Sequence, residues 1–200
     1  MTIDVRPLTP ARRQDFLDFF DHERGAAFAD NPEWARCYCH FYHVPKVMDW
    51  RAFTASENRV AMDARIAVGE MEGFLAYAAG EVVGWVNAQP LAKLPHCWDR
   101  MGVGRPATDI PPDAAAAIVC FVIAPAWRRR GVARALLEGA LASFTARGIR
   151  RVYAFPFNAG DDQAPTAHYH GPATLFAACA FVPLQSTPNL TMVVRELDGP

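Results

Sequence analysis

The sequence predicts an α/β (α+β) fold, a mixed sheet flanked by helices, and three observations carry that expectation. "AAIVCFVIAP" is a continuous apolar, β-branched run of the kind found in strands buried on both faces of a sheet. From Val132 the period changes, and Leu136, Leu137, Ala140, Leu141 and Phe144 fall on one face of a helix. Upstream, "GFLAYAAGEVVGWVNAQP" holds two strand-like runs separated by "AAGE", an antiparallel hairpin with Gly80 supplying the turn.

The remaining elements follow in order. "IDVRPLT" alternates as a strand, and "PARRQDFLDFFDH" places Phe16, Phe19 and Phe20 on one helical stripe. "NPEWARCYCHFYHV" predicts a second helix, with Asn31 as N-cap and Pro32 at the first helical position. After the hairpin, residues 91 to 113 are rich in proline and glycine without a period, which predicts a surface loop. Pro125 ends the buried strand, and Arg147 with Gly148 closes the helix after it. "RRVYAFPF" reads as a strand, "PATLFAACAF" as a short helix and "LTMVVREL" as the final strand. No repeat, low-complexity tract or linker interrupts the chain, so residues 1–200 are expected to form a single domain.

Composition narrows the function classes. With 20 basic against 21 acidic residues the formal charge is −1, so no global field draws the chain to nucleic acid or to an anionic membrane. "MTIDVRPLTPARRQ" contains no apolar segment of signal-peptide length, and the longest apolar run, Ala114 to Ala124, is core-sized and not membrane-sized. Five cysteines is an odd number, and Cys37 and Cys39 lie too close for a comfortable mutual bridge. A reduced, cytoplasmic setting is the expectation.

The junction "VIAPAWRRRGVARALL" raises the chemical question. A buried strand that turns directly into a helix leaves the helix's first N–H groups unpaired and available to an anion. Arg128, Arg129 and Arg130 add charge there, Gly131 lets the backbone approach phosphate oxygens, and small Ala133 keeps the way clear. The competing reading is a solvated basic turn. Other phosphate motifs fail: G-x-x-x-x-G-K-[ST] is absent, and "GVGRPA" at Gly102 follows no strand and runs into prolines.

"VIAPAWRRRGVARALL" resembles the acyl-CoA-binding motif of the GNAT superfamily of N-acetyltransferases, a strand ending in V-x-P followed by R/Q-x-x-G-x-G/A opening a helix. Val122 and Pro125 stand at the strand end, Arg128 at the R/Q, Gly131 at the first glycine and Ala133 at the last position. The element order follows the family over nearly the whole chain. The resemblance implies a mostly antiparallel central sheet with a splayed strand pair for the cofactor. It also implies an acceptor-side part of about 1–113 and a cofactor-binding part of about 114–200. Acetyl-CoA is then the co-substrate, with no metal. Its pyrophosphate would lie on the turn Arg128, Arg129, Arg130, Gly131, Val132, Ala133 and Arg134, and its pantetheine arm along Phe121, Val122 and Ile123. Asn158 and Phe176 occupy the positions of the family's later motif, N-x-x-A-x-x-L-Y-x-x-x-G-F.

That later motif is altered. "LFAACAF" keeps Leu175 and Phe181, but Phe176 replaces the tyrosine that usually protonates the departing thiolate, and Ala180 replaces the glycine. Phenylalanine cannot donate a proton. Asn158 to Phe181 spans 23 positions against 12 in the quoted pattern, so about eleven residues are inserted, most of "AGDDQAPTAHYHG". The insertion brings His168, Tyr169 and His170, and Tyr169 with His170 are the candidates for the missing acid and a proton carrier; an exposed loop is the competing reading. The implied chemistry is direct transfer in a ternary complex: an amine attacks the thioester carbonyl and the thiolate leaves. Cys120, inside the apolar run, reads as packing and not as a nucleophile.

Cys37, Cys39, His40 and His43 invite a zinc reading, but one helical segment cannot surround a metal with them, so no metal is expected. The aromatic residues of that segment, Trp34 and Tyr38 first, occupy the family position that walls the acceptor pocket, as do Trp85 and Asn87 on the hairpin; core packing is the competing reading. The expected partner is a small-molecule or peptide amine, with no nucleic acid and no membrane, and self-association as a homodimer stays open. Two other functions stay open: a non-catalytic acyl-CoA sensor, motivated by Phe176, and a metal-stabilised interaction module, motivated by Cys37 to His43.

Overall fold

The turn "AAGE" is left-handed at both central residues, Ala79 at φ 52° and Gly80 at φ 85°. That twist matches the flanking strands, β2 (Phe74–Ala78) and β3 (Glu81–Pro90), which pair antiparallel. The computed structural model describes residues 2–158 and 168–198. The other strands are β1 (Asp4–Pro7), β4 (Ala115–Ile123), β5 (Arg151–Ala154), β6 (Val182–Ser186) and β7 (Thr191–Glu196). Among the described residues they form one sheet in the order β1-β2-β3-β4-β5-β7-β6. Only β4 and β5 run parallel. No described helix is long and apolar enough to cross a membrane.

The helices are α1 (Arg13–Phe19), α2 (Ala55–Ala67), α3 (Cys97–Met101), α4 (Val132–Ala146) and α5 (Ala173–Ala177). Two buried layers result. On one face of the sheet Phe16, Phe20, Tyr38, Met62, Ile66 and Trp85 pack together; on the other Leu136, Leu137, Ala140, Phe144 and Phe176 do. Every residue of the expected stripe on α4 is buried. Close helix–sheet packing depends on Gly84 of β3, where an added Cβ would lie 2.8 Å from Val132 Cγ1 and 3.0 Å from Ile123 Cδ1. Gly84→Val is therefore expected to cost ~1–3 kcal/mol of stability through overpacking, read from urea unfolding; a midpoint equal to the parent's would show that α4 gives way freely.

Two features shape β4. Its pairing with β3 slips between Asn87 and Ala88, which face Cys120 and Ile118, so Val119 is an extra residue. The alternation changes phase there. Ala115, Ala117 and Val119 face the first layer, and beyond the extra residue Cys120, Val122 and Ala124 do. Tyr42 closes the distortion by donating its hydroxyl to Val119 O at 2.8 Å. Second, β5 accompanies β4 only from Ala115 to Ile118, so the rest of β4, to Ile123, splays away from it.

Four sequence expectations are corrected. Residues 31–44 are not a helix: Pro32–Trp34 and His40–His43 are separate short helical turns, broken where Tyr38 and Cys39 take φ of 45° and 55°. A right-handed helix cannot pass through two left-handed residues. The side chain of Asn31 makes no capping bond. Residues 91–113 are not a bare surface loop, because α3 lies there and Leu94, Cys97 and Met101 are buried. Finally, α2 and β6 went unpredicted. The capping box of α2 was readable, since Thr54 Oγ1 accepts from Glu57 N–H at 3.2 Å and Glu57 Oε2 accepts from Thr54 N–H at 2.8 Å. Its stripe was weak because polar Asn58 shares it with Met62 and Ile66. In β6, exposed on every residue, Pro183 hid an edge strand.

Candidate active site

The site grows from the junction of β4 and α4. After the Pro125–Trp127 turn, Arg129 takes φ 60° and Gly131 φ 83°. The first bond of α4 runs from Ala135 N–H to Gly131 O at 3.0 Å. Among the described residues, the amides of residues 129 to 134 have no hydrogen-bond acceptor. They form the row of free donors that an anion needs.

This turn borders a cleft of about 590 Å³. Phe121, Val122, Ile123, Arg128, Arg129, Gly131, Val132, Ala133 and Arg134 all line it. Arg130 does not; its guanidinium lies 5.5 Å from the ring centre of Trp127. The arginines are not equivalent. Arg128 grips Asp30 through both terminal nitrogens, with Nη2 3.0 Å from Oδ1, and donates from Nε to Ile123 O at 3.2 Å. These hydrogen bonds hold the Asp30 carboxyl below the usual range. Arg134 is engaged by Glu138 at 2.8 Å. Arg129, among the described residues, has no carboxylate within salt-bridge distance.

Along the splayed end of β4, Phe121 and Ile123 turn their backbone groups toward the cleft. The Phe121 N–H is met by Tyr169 O at 2.6 Å, so the end of the inserted segment lies where a β5 partner would otherwise pair. Gly171, at φ 85°, allows this approach: an added Cβ would sit 2.8 Å from Phe176 Cε2 and 3.1 Å from Phe121 Cε2. Phe176 itself is fully buried against Phe121 and Phe181, beneath the cleft and not on its wall.

The histidines and tyrosine of the insertion part company. Tyr169 lines the cleft, with its ring edge-on to Trp34 at 5.0 Å and Phe157 at 5.1 Å. Burial first, and then the thiols of Cys120 and Cys37, push its phenol up to about 12. His168 also lines the cleft, and among the described residues its buried Nε2 has no hydrogen-bond partner. His170 is placed elsewhere: it stacks on Phe157 at 4.3 Å and donates from Nδ1 to Phe155 O at 3.0 Å. The inserted residues 159–167 lie outside the described residues.

Asn158 is also drawn away. It donates to Thr187 O at 2.7 Å and accepts from Thr191 Oγ1 at 2.8 Å, tying down the turn between β6 and β7. Of the expected acceptor residues only Trp34 lines the cleft. Tyr38 is buried, with its hydroxyl 2.8 Å from His22 Nδ1; Trp85 donates to Cys39 Sγ at 3.2 Å; Asn87 accepts from Gln89 Nε2 at 2.7 Å. Those three belong to the layer behind the wall. Cys37, Cys39, His40 and His43 do not converge: His40 meets Asn58 and His43 meets Met71. Among the described residues no three His, Cys, Asp or Glu groups lie together as metal ligands would. Sequence reasoning missed Phe28, Asp30 and Trp127, because nothing in "AAFADNP" marks a segment that reaches 98 positions along the chain to Arg128.

Burial gives the histidines a stability signature. It lowers His43 to about 3 and His170 to about 4, below the ordinary imidazole value of about 6.5. A depressed histidine binds its proton more readily unfolded, so its stabilisation is complete above the ordinary value and is lost as pH falls toward the folded values. Urea midpoints are expected to fall between about pH 6.5 and pH 4, with a shallower fall in His170→Gln. Parallel curves for parent and variant would refute the assignment to His170.

A family model described as "Acetyltransferase (GNAT) family" matches residues 18–170. Among curated protein sequences no relative matches. Among solved structures, the GNAT domain of PAT from S. lividans is similar at 21% identity and TM-score 0.58, over 98% of this chain and 92% of that one. An acetyltransferase from Thermus thermophilus is similar at 21% identity and TM-score 0.54, over 98% of each chain. The yncA protein of Salmonella typhimurium, solved with its cofactor acetyl-CoA, is similar at 13% identity and TM-score 0.54, over 99% of this chain and 95% of that one. At these identities the structural likeness speaks to the fold alone.

Proposed function

The chain belongs to the GNAT acetyltransferase family, an acyltransferase family that uses acetyl-CoA, and from that premise we propose that it transfers the acetyl group directly to an amine in a ternary complex. One observation carries the reading. A single cleft joins the row of unpartnered amides at residues 129 to 134 to an aromatic wall bearing Tyr169, and the splayed end of β4 runs between them.

The residues fit the cofactor. The free amides and Arg129 receive the pyrophosphate, and Gly131, with open space where a Cβ would stand, leaves room for it. Phe121 and Ile123 offer the pantetheine arm the backbone groups that Tyr169 and Arg128 leave untaken, the Phe121 carbonyl and the Ile123 N–H. Acetyl-CoA supplies an acetyl thioester, already activated toward an amine. Tyr169, kept protonated by its buried surroundings, donates its phenolic proton to the sulfur in place of the tyrosine that Phe176 replaces. His170 positions the neighbouring Tyr169 from behind, through Phe155 and Phe157. The whole chain acts as one domain, with the acceptor side contributed by its N-terminal part.

The test is a coupled measurement of free thiol and of acetylated product by mass spectrometry, with acetyl-CoA and a panel of amines. Equal release of thiol and acetyl-amine is expected. Tight coenzyme A binding with no acetyl-amine above buffer would leave only a binding protein.

A further inference from the structure

We infer that Asp30 is a positioning residue: its grip on Arg128 fastens the acceptor-side segment of Ala27, Phe28, Asn31 and Trp34 to the cofactor turn, and withholds that arginine from the cofactor phosphates. This rests on the acetyl-transfer reading above and adds to it a tie between the two sides of the site.

Three observations converge. First, the grip reaches across the site. Asp30 meets both terminal nitrogens of Arg128, and Arg128 Nε donates to Ile123 O at 3.2 Å. One guanidinium thereby joins the acceptor-side segment, the turn after β4 and the splayed end of β4. The planar fork of arginine meets a carboxylate through two parallel bonds, so the pair sets direction as well as distance.

Second, the segment it holds has no regular structure of its own. Residues 21–31 contain no helix or strand, and their backbone bonds are local, such as Ala27 N–H to Phe19 O at 3.0 Å and Asn31 N–H to Phe28 O at 2.9 Å. Such bonds shape the segment without fixing it against the cofactor side. Ala27, Phe28, Asn31 and Trp34 nevertheless line the cleft.

Third, the grip competes with the cofactor. Arg128 lines the same cleft, at the turn whose free amides are proposed to receive the pyrophosphate. Carboxylate and phosphate seek the same fork, and a guanidinium paired with Asp30 presents its charge already neutralised. The pair therefore has opposite consequences for the two substrates: it weakens attraction for the cofactor and orders the wall that the acceptor meets. That opposition separates it from an ordinary exposed ion pair, whose loss changes little.

Asp30→Asn in the full chain tests both ends. The Asp30 side chain is 41% exposed, so it loses its charge without opening the core. Calorimetry is expected to show coenzyme A bound about threefold or more tighter at low salt, with the gain shrinking at high salt as the freed guanidinium is screened. In the cofactor-free protein, hydrogen exchange of the amides of residues 27–34 should quicken. At saturating acetyl-CoA, kcat/KM for the amine turned over best in the panel should fall about fivefold or more. Asp30→Glu keeps the charge and should return all three readings most of the way to the parent's.

Unchanged or weaker coenzyme A binding in Asp30→Asn would show that Arg128 is not withheld, and tighter binding with parent-like exchange and turnover would show that Asp30 fastens nothing; either overturns the proposal. A parent that binds coenzyme A but yields no acetyl-amine would overturn the acetyl-transfer reading instead, and calorimetry and exchange would still decide whether Asp30 holds the segment.

Discussion

Gly131→Trp is expected to lower coenzyme A affinity by a hundredfold or more while the protein stays folded. The glycine sits at φ 83°, where any other residue pays ~1–2 kcal/mol, and an added Cβ would have no atom within 4 Å. The indole therefore meets no protein wall. It enters the space over the amides of residues 129 to 134, where the pyrophosphate is proposed to lie. Hydrogen bonds to a charged group are worth ~1.5–3 kcal/mol each, and losing two of them suffices for the expected drop. Gly131→Ala separates the terms, since it carries the backbone cost without the bulk and should lower the urea midpoint while coenzyme A affinity stays within about tenfold of the parent's. Calorimetry on both decides it: parent-like affinity in the tryptophan variant would remove the turn from the cofactor site.

Tyr169→Phe is expected to cut kcat by ~10²–10⁴ and leave coenzyme A affinity unchanged. The substitution keeps the ring contacts to Trp34 and Phe157 and the carbonyl that meets Phe121 N–H, removing one hydroxyl only. Because the phenol is pushed up to about 12, chiefly by burial, it stays protonated through the neutral range. The parent's rate should accordingly show no alkaline loss from this group below about pH 10. Stopped-time assays across pH, with calorimetry alongside, read both quantities. A variant turning over at the parent rate would mean that water protonates the sulfur and that Tyr169 serves the cleft by shape alone.

Much of the cofactor half was legible because its signals are local. Ala115 to Ile123 announces a buried strand by composition, α4 announces itself by period, and Gly131 stands between them, so a window of some thirty residues holds the whole turn. The acceptor half was legible only in part. Tyr38 and Cys39 leave the helical region because Tyr38 reaches His22 and Cys39 reaches Trp85, contacts that no window around residue 38 contains. The same holds for Asp30 with Arg128. In the insertion, three adjacent residues looked alike as candidates. The fold sends His168 and Tyr169 to the cleft and His170 to Phe155, a distinction made by one tight backbone turn and invisible in "HYH".

The extra residue in β4 makes the layering of this strand a matter of counting. Deleting Val119 alone would restore unbroken alternation with every later residue keeping its face, Cys120 in the layer of Trp85 and Phe121 toward α4, and would remove the carbonyl that Tyr42 meets. A deletion on either flank within the strand, at Ala117 or Val122, would instead leave the irregularity in place and exchange the faces of the residues on one side of the cut. Lineages of this chain should therefore tolerate exchange of one apolar side chain for another along β4 far more readily than any change in its length, whereas length should vary most in the segment after Asn158.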